Sequence, residues 1–240
     1  MPRPRGHGRN FHKKKNEIVD LAAKLFAERG YAATNLDDLA AAARLGKGAL
    51  YYYINSKEDL LVEIQSRVVL PVQLIANEIN ELGLDPVLRL RILSEAILTL
   101  MFQRLPHIWA REHDSRHLTG KNLEQSHRER RLFEKSVCRI MDEAISSGIF
   151  RPIEPRLAML QFLNLHIYTY RWINPEGDWT PCYLSQEYCT TFFRGMWSEE
   201  SEYDPAGLET RLAAFLEGEP AAIVRNALGS THLGDADRNH

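Results

Sequence analysis

The sequence contains few cysteines and none of the common catalytic motifs. Its three cysteines, Cys138, Cys182 and Cys189, are odd in number and lack CxxC spacing. This argues against a disulfide framework and predicts a reduced, cytoplasmic protein. No GxSxG, HExxH or GxxxxGKS/T pattern occurs, so the usual signatures of hydrolases, zinc peptidases and nucleotide-binding loops are missing. We expect no cofactor and no enzymatic activity.

Long apolar runs and alternating strand patterns are also missing. No stretch reaches the roughly 18 apolar residues of a membrane span, and no apolar run follows the basic N-terminus as it would in a secretory signal. We therefore expect no membrane partner. Apolar residues recur instead at helical spacing, as in Ile18, Leu21, Ala22, Leu25 and Phe26. The predicted fold class is all-α.

Charge of one sign is concentrated at the start of the chain. The formal net charge is −2, yet residues 1–53 carry ten Lys/Arg against five Asp/Glu, so this part has a balance of +5 and the rest −7. A basic first quarter on an acidic body favours a polyanionic partner for that end. A solvated tail that aids solubility explains the charge equally well.

Capping signals divide the chain into helices and four regions. Ser56-Lys57-Glu58-Asp59 is a capping box, and Asp85-Pro86 and Glu154-Pro155 each place proline at the first helical position. Pro71 and Pro106 predict breaks or kinks. The predicted regions are a basic flexible arm (1–13), a helix-turn-helix domain (14–60), a larger helical domain (61–200) and an acidic, partly disordered extension (201–240).

The first region after the arm has the pattern of a helix-turn-helix. Two short helices, near 35–43 and 47–53, follow a longer one over 14–29. Leu50 and Ile54 are four apart and can both face the core. That orientation turns Lys47 and Tyr52 outward, as a helix in the major groove of DNA requires.

The second short helix, near 47–53, is the one expected to enter the groove and is called the recognition helix. Nine residues on it or beside it are predicted to contact DNA. Any single tyrosine is equally well explained by packing beneath the next helix. Three consecutive side chains, however, point about 100° apart, so one core cannot accept all of them. The predicted contacts are Thr34, Arg44, Lys47, Gly48, Ala49, Tyr51, Tyr52, Tyr53 and Lys57.

Residues 14–61 resemble the DNA-binding domain of the tetracycline-repressor (TetR) family of transcriptional regulators. The resemblance lies in "IVDLAA", "LFAERGYAATNLDDLAAAA" and "GKGALYYYINSKEDLL". Two positions depart from the family pattern: Arg44 replaces the usual glycine, and Gly46 replaces the usual serine N-cap. The resemblance implies a ligand-responsive repressor that binds a palindromic DNA operator as a homodimer.

The resemblance also implies that the body binds a small-molecule effector and dimerises through its last long helices, about 155–172 and 182–197. The segment "YRWINPEG" (170–177) is similar to members that respond to acyl-coenzyme A (acyl-CoA) thioesters. Arg171 would then pair with a ligand phosphate. An aromatic stripe at helical spacing is also typical of plain core. The candidate ligand-binding residues are Phe102, Trp109, Phe133, Phe162, His166, Tyr170, Arg171 and Trp172.

Other interpretations of the sequence have weaker support. His113 and His117 have metal-ligand spacing, but no third ligand is evident, so no metal site is predicted. An all-helical adaptor or a helical enzyme without a DNA-binding role is the alternative function. Neither would need Lys47 and the basic arm at one end of the chain.

Overall fold

The computed structural model describes residues 5–218 and residue 224, with side chains from Asn10 onward, and within them the fold is all-α. No strand occurs in this part of the chain; Phe150 and Trp197 form an isolated bridge. The helices are α1 (Arg5–Arg29), α2 (Leu36–Ala42), α3 (Lys47–Leu50), α4 (Lys57–Glu81), α5 (Pro86–Asp114), α6 (Gly120–Ser146), α7 (Pro155–Ile167), α8 (Pro181–Met196) and α9 (Leu208–Glu217).

Most helices begin where the capping signals predict. The Ser56 hydroxyl accepts a hydrogen bond from the Asp59 amide at 3.0 Å, and the Asp85 carboxylate accepts one from the Leu88 amide at 2.9 Å. Glu154 caps α7 in the same way, with Pro155 at its first position. Each cap satisfies an amide that would otherwise lack a partner at the helix start.

Three of the long helices, α1, α4 and α5, differ most from the prediction. α1 begins at Arg5 rather than near residue 14, so most of the predicted flexible arm is helical. α4 runs through Pro71 although proline removes one helical hydrogen bond, and Val68 and Val72 on either side of it are buried. The two helices predicted on either side of Pro106 form one span, interrupted at Arg104, where φ is −134° and ψ is 32°.

The chain forms two compact units. The first consists of the described residues up to Val69 together with Arg104–Glu129, and it contains the predicted domain 14–60. Its core includes Ile18, Phe26, Leu39, Leu50 and Leu61, all buried.

The second unit consists of Leu70–Gln103 and the described residues from Arg130 onward. Its apolar core, with Phe162 and Phe193, also contains buried polar residues on α5, among them Arg91, Ser94 and Glu95. The end of the acidic extension, predicted to be disordered from residue 229, lies outside the described residues. Among those described, no helix is both long and apolar enough to cross a membrane.

Candidate nucleic-acid interface

The turn between α2 and α3 is fixed by a capping box and a left-handed residue. The Asn35 side-chain oxygen caps α2 by accepting a hydrogen bond from the Asp38 backbone amide at 2.8 Å. In return, the Asp38 carboxylate accepts one from the Asn35 backbone amide at 3.3 Å. Arg44, directly after the C-cap of α2, has a φ of +56°. This is the region that glycine adopts most easily, so the departure at Arg44 introduces backbone strain into the turn.

We expect Arg44→Gly to raise the free energy of unfolding by about 1 kcal/mol, because glycine relieves the left-handed strain. Urea denaturation measures the change. Ala41→Gly, on the exposed side of α2, is the matched control and should lower the free energy of unfolding by roughly 0.5–1 kcal/mol. A destabilised Arg44→Gly protein would contradict the strain.

Leu50 anchors α3. This four-residue helix buries Leu50 completely, in a core shared with Leu39 and Ile54. Lys47, Gly48 and Ala49 are exposed. α3 is shorter than predicted, but its inward and outward faces are those expected from the spacing. The arrangement leaves a narrow, small-residue surface that a groove of duplex DNA could approach closely.

The three consecutive tyrosines have different surroundings. Tyr52 is 66% exposed and Tyr51 is 48% exposed, while Tyr53 is half-buried. Phe11 stacks on Tyr53 with ring centroids 5.2 Å apart and meets Tyr52 edge-on at 5.4 Å. The N-terminal part of α1 therefore packs against two of the three tyrosines.

Lys47 lies on this surface but has an acidic neighbour. Its ammonium group lies 3.0 Å from the carboxylate of Asp37 on α2. The hydrogen bond to Asp37, and then its charge, raise the pKa of Lys47, so the residue stays cationic. Both side chains are exposed, and a phosphate or base acceptor can compete with Asp37 for the ammonium.

Two predicted contacts have structural partners instead. Thr34 is buried, and its hydroxyl donates to the Gly30 carbonyl at 3.0 Å. The Lys57 ammonium donates to the carbonyls of Tyr31 at 2.8 Å and Thr34 at 2.9 Å. It also lies over the Tyr31 ring, 4.2 Å from its centroid. Both side chains hold the loop between α1 and α2, and their contact with DNA stays a prediction.

One basic contact near the interface was not predicted. The Lys14 ammonium donates to the Ala43 carbonyl at 2.9 Å, at the C-terminal end of α2. A cation at a helix C-terminus satisfies a free carbonyl and complements the helix dipole. No local sequence signal marks this pairing, because its partners are 29 positions apart.

The candidate ligand-binding residues do not share one environment. Phe133, Phe162, His166 and Tyr170 are buried in the second unit, and Phe102 is half-buried there. Trp109 belongs to the first unit and stacks on His113 at 4.7 Å. His166 Nε2 lies 2.6 Å from the Ser94 hydroxyl, and complete burial lowers the pKa of His166 to about 4. The histidine is therefore neutral.

Arg171 and Trp172 instead form an exposed aromatic and basic surface. The Arg171 guanidinium donates to the hydroxyls of Tyr170 at 3.2 Å and Tyr168 at 3.3 Å. Trp172 meets Trp179 edge-on with centroids 5.8 Å apart. A fixed guanidinium beside exposed rings can pair with phosphate and stack on a planar base.

Two family models match the chain. Residues 18–64 match "Bacterial regulatory proteins, tetR family", and residues 83–196 match "Tetracyclin repressor-like, C-terminal domain". Among curated relatives, the HTH-type transcriptional repressor KstR2 of Rhodococcus jostii is 27% identical over 194 residues. The alignment covers 76% of this chain and 91% of that repressor.

Solved structures have the same fold. The TetR family transcriptional regulator PfmR of Thermus thermophilus has a TM-score of 0.70 and 29% identity, covering 74% of this chain and 97% of its own. AibR, solved in complex with isovaleryl coenzyme A and operator DNA, has a TM-score of 0.64 and 25% identity. That match covers 75% of this chain and 98% of AibR.

Proposed function

This chain belongs to the tetracycline-repressor family of transcriptional regulators, and from this premise we propose that it represses transcription by binding a palindromic operator as a homodimer. A small-molecule effector then releases the DNA. The observation that carries the proposal is α3, held by buried Leu50 while Lys47 and Tyr52 are exposed. The family consists of DNA-binding regulators rather than enzymes, and we infer that the protein acts in the cytoplasm.

The DNA contacts that we propose divide into two groups. The first group reads base edges and consists of Lys47, Gly48, Ala49 and Tyr52. A side chain added at Gly48 would meet no atom within 4 Å, so the surface there is open to the DNA. The second group, Arg44, Tyr51 and Tyr53, contacts the phosphates that flank the groove. Phosphate contacts position a protein on duplex DNA, while base contacts specify the sequence.

We propose that a second copy of the chain covers the exposed apolar side chains of α7 and α8. Phe162, Leu163 and Phe193 on the same two helices are buried within the chain, so they are not available to a second copy. The exposed group is Leu157 and Leu165 on α7 and Tyr183 on α8, together with Tyr168 directly after α7. A two-fold dimer would hold two recognition helices for half-sites about 34–36 Å apart, one turn of the duplex.

Lys47→Ala is expected to weaken operator binding by roughly 10- to 100-fold, the loss typical of one base contact. Asp37→Asn is the matched variant of its partner and should strengthen binding, because it frees the Lys47 ammonium and removes an acid beside the DNA. Gel-shift titration against genomic fragments measures both. Unchanged operator affinity in Lys47→Ala would overturn this placement of the reading surface.

For the effector we propose an acyl-CoA thioester. AibR was solved with isovaleryl coenzyme A, and Arg171 in this chain is an exposed guanidinium already oriented by two phenols. It would pair with a phosphate of coenzyme A while Trp172 or Trp179 stacks on the adenine. Release follows if the thioester binds the DNA-free conformation more tightly than the DNA-bound one.

A panel of CoA thioesters, including isovaleryl-CoA and octanoyl-CoA, should contain a member that lowers operator affinity at least about tenfold. Free coenzyme A controls for the acyl group. Arg171→Gln should require about tenfold more of that thioester for release, with unchanged operator affinity in its absence. Equal operator affinities with and without every thioester would refute the effector class and leave the DNA-binding proposal standing.

A further inference from the structure

The segment Ser198–Glu217, called here the C-terminal segment, lies beyond the last residue that the family models match, Met196. It nevertheless belongs to the second unit. Its apolar residues Leu208 and Leu212 are buried. The segment therefore lies outside the matched region, and its contacts indicate what it does.

Its most unusual contact is with Arg91 on α5. Arg91 is completely buried, and one of its terminal nitrogens, Nη1, donates to Glu95 at 2.8 Å and to Ser185 at 2.6 Å. The other edge of the guanidinium, Nε and Nη2, donates to the two carboxylate oxygens of Glu209 at 2.8 and 3.1 Å. Two parallel hydrogen bonds of this kind are the geometry in which arginine recognises a carboxylate.

Arg91 remains charged in this setting. Burial by itself lowers the pKa of Arg91, but the hydrogen bond that it donates to Glu209, with the nearby negative charges, raises the pKa above the usual value for arginine. If Glu209 moved away, two N–H groups of a buried cation would lose their acceptors, which is unfavourable unless another anion replaces them.

Glu209 lies on the open side of this ion pair. Its side chain is 43% exposed, whereas those of Arg91 and Glu95 are 0% exposed. Glu209 also lines a cavity of about 290 Å³ between α8 and the C-terminal segment. The rings of Phe193 and Trp197 form an apolar wall of this cavity, and Gln186, Thr190 and Arg194 contribute polar groups.

The C-terminal segment is held over the site by a second set of contacts. The Tyr203 ring stacks on Trp197 with centroids 5.4 Å apart, and its hydroxyl donates to the Asp85 carboxylate at 2.9 Å. Arg211 lies over the same ring and pairs with Asp85 at 3.7 Å. These contacts are partly exposed, so the segment can be displaced more easily than the buried core beneath it.

We propose that Arg91 is a binding site for a small organic carboxylate, and that Glu209 is a tethered carboxylate that occupies the site until a ligand displaces it. The ligand carboxylate would accept the two N–H groups that now bind Glu209, and its aromatic or aliphatic body would fill the cavity beside Phe193. This site is separate from the proposed contacts with DNA and acyl-CoA, so its occupancy can be measured without DNA.

Benzoate is a suitable probe, and benzamide is its uncharged analogue. In calorimetric titrations of the full chain, Glu209→Gln should bind benzoate at least about tenfold more tightly than wild type, because the tethered competitor is neutralised. Glu217→Gln, at the exposed end of the same helix, should bind like wild type, and benzamide should bind none of the three. Equal benzoate affinity in wild type and Glu209→Gln would overturn the proposal, as would equal binding of benzamide.

Limited proteolysis tests the displacement itself. Saturating benzoate should speed cleavage of wild type between residues 198 and 208 by at least about fivefold, because the displaced segment opens locally. Glu209→Gln should be cleaved faster than wild type even without benzoate. Tight benzoate binding with no change in the cleavage of wild type would refute the tethered competitor.

Discussion

Leu50→Ala is expected to lower the free energy of unfolding by about 3 kcal/mol, a typical loss for a completely buried leucine, and to abolish operator binding. A helix of four residues has almost no stability of its own, since nucleation alone is unfavourable. Leu50 is the buried residue of α3, so its side chain ties the reading surface to the core formed by α1 and α4. Urea denaturation and gel-shift titration measure the two effects.

Leu132→Ala is the matched control. It is the same substitution on α6, where the leucine is 47% exposed, so the loss of stability should stay below about 1 kcal/mol and operator affinity should not change. If Leu50→Ala bound the operator normally while it remained folded, α3 would not be the element that enters the groove.

The helix starts and the buried faces of the helices can be predicted from the sequence. Capping residues are effective signals because their partners lie three positions away, as in Ser56 with Asp59 and Asp85 with Leu88. The inward direction of Leu50 and Ile54 followed from their spacing of four, and both are buried. Arg44 and Gly46 depart from the family pattern in this turn. Arg44 has a left-handed backbone there, so the first departure introduces strain.

The contacts that could not be predicted join residues far apart in the chain. Lys57 carries the charge expected of a phosphate contact, yet two carbonyls more than 20 positions away accept its hydrogen bonds. Arg91 and Glu209 are 118 positions apart, and nothing in either local sequence links them. Periodicity and capping describe neighbours along one helix, whereas these pairs depend on how helices pack.

A quadruple variant, with Arg3, Arg5, Arg9 and Lys13 changed to Gln, removes four positive charges near the start of the chain. We expect this variant to have a flatter salt dependence of operator binding. Each phosphate contact contributes about 0.9 to the slope of log affinity against log salt concentration, so loss of four contacts would lower the slope by about 3.6. Operator titrations between 50 and about 300 mM salt measure it. An identical slope would show that these charges solvate the chain and do not touch DNA.

Charge substitution is preferable to deletion of residues 1–13, because deletion would also remove Phe11. The Phe11 ring packs on Tyr52 and Tyr53, and an aromatic pair of this kind contributes about 0.5–1.5 kcal/mol. Phe11→Ala should therefore weaken operator binding severalfold through the tyrosines, yet keep the salt slope of wild type. A lower slope in Phe11→Ala would mean that the aromatic support also positions the basic residues on the phosphates.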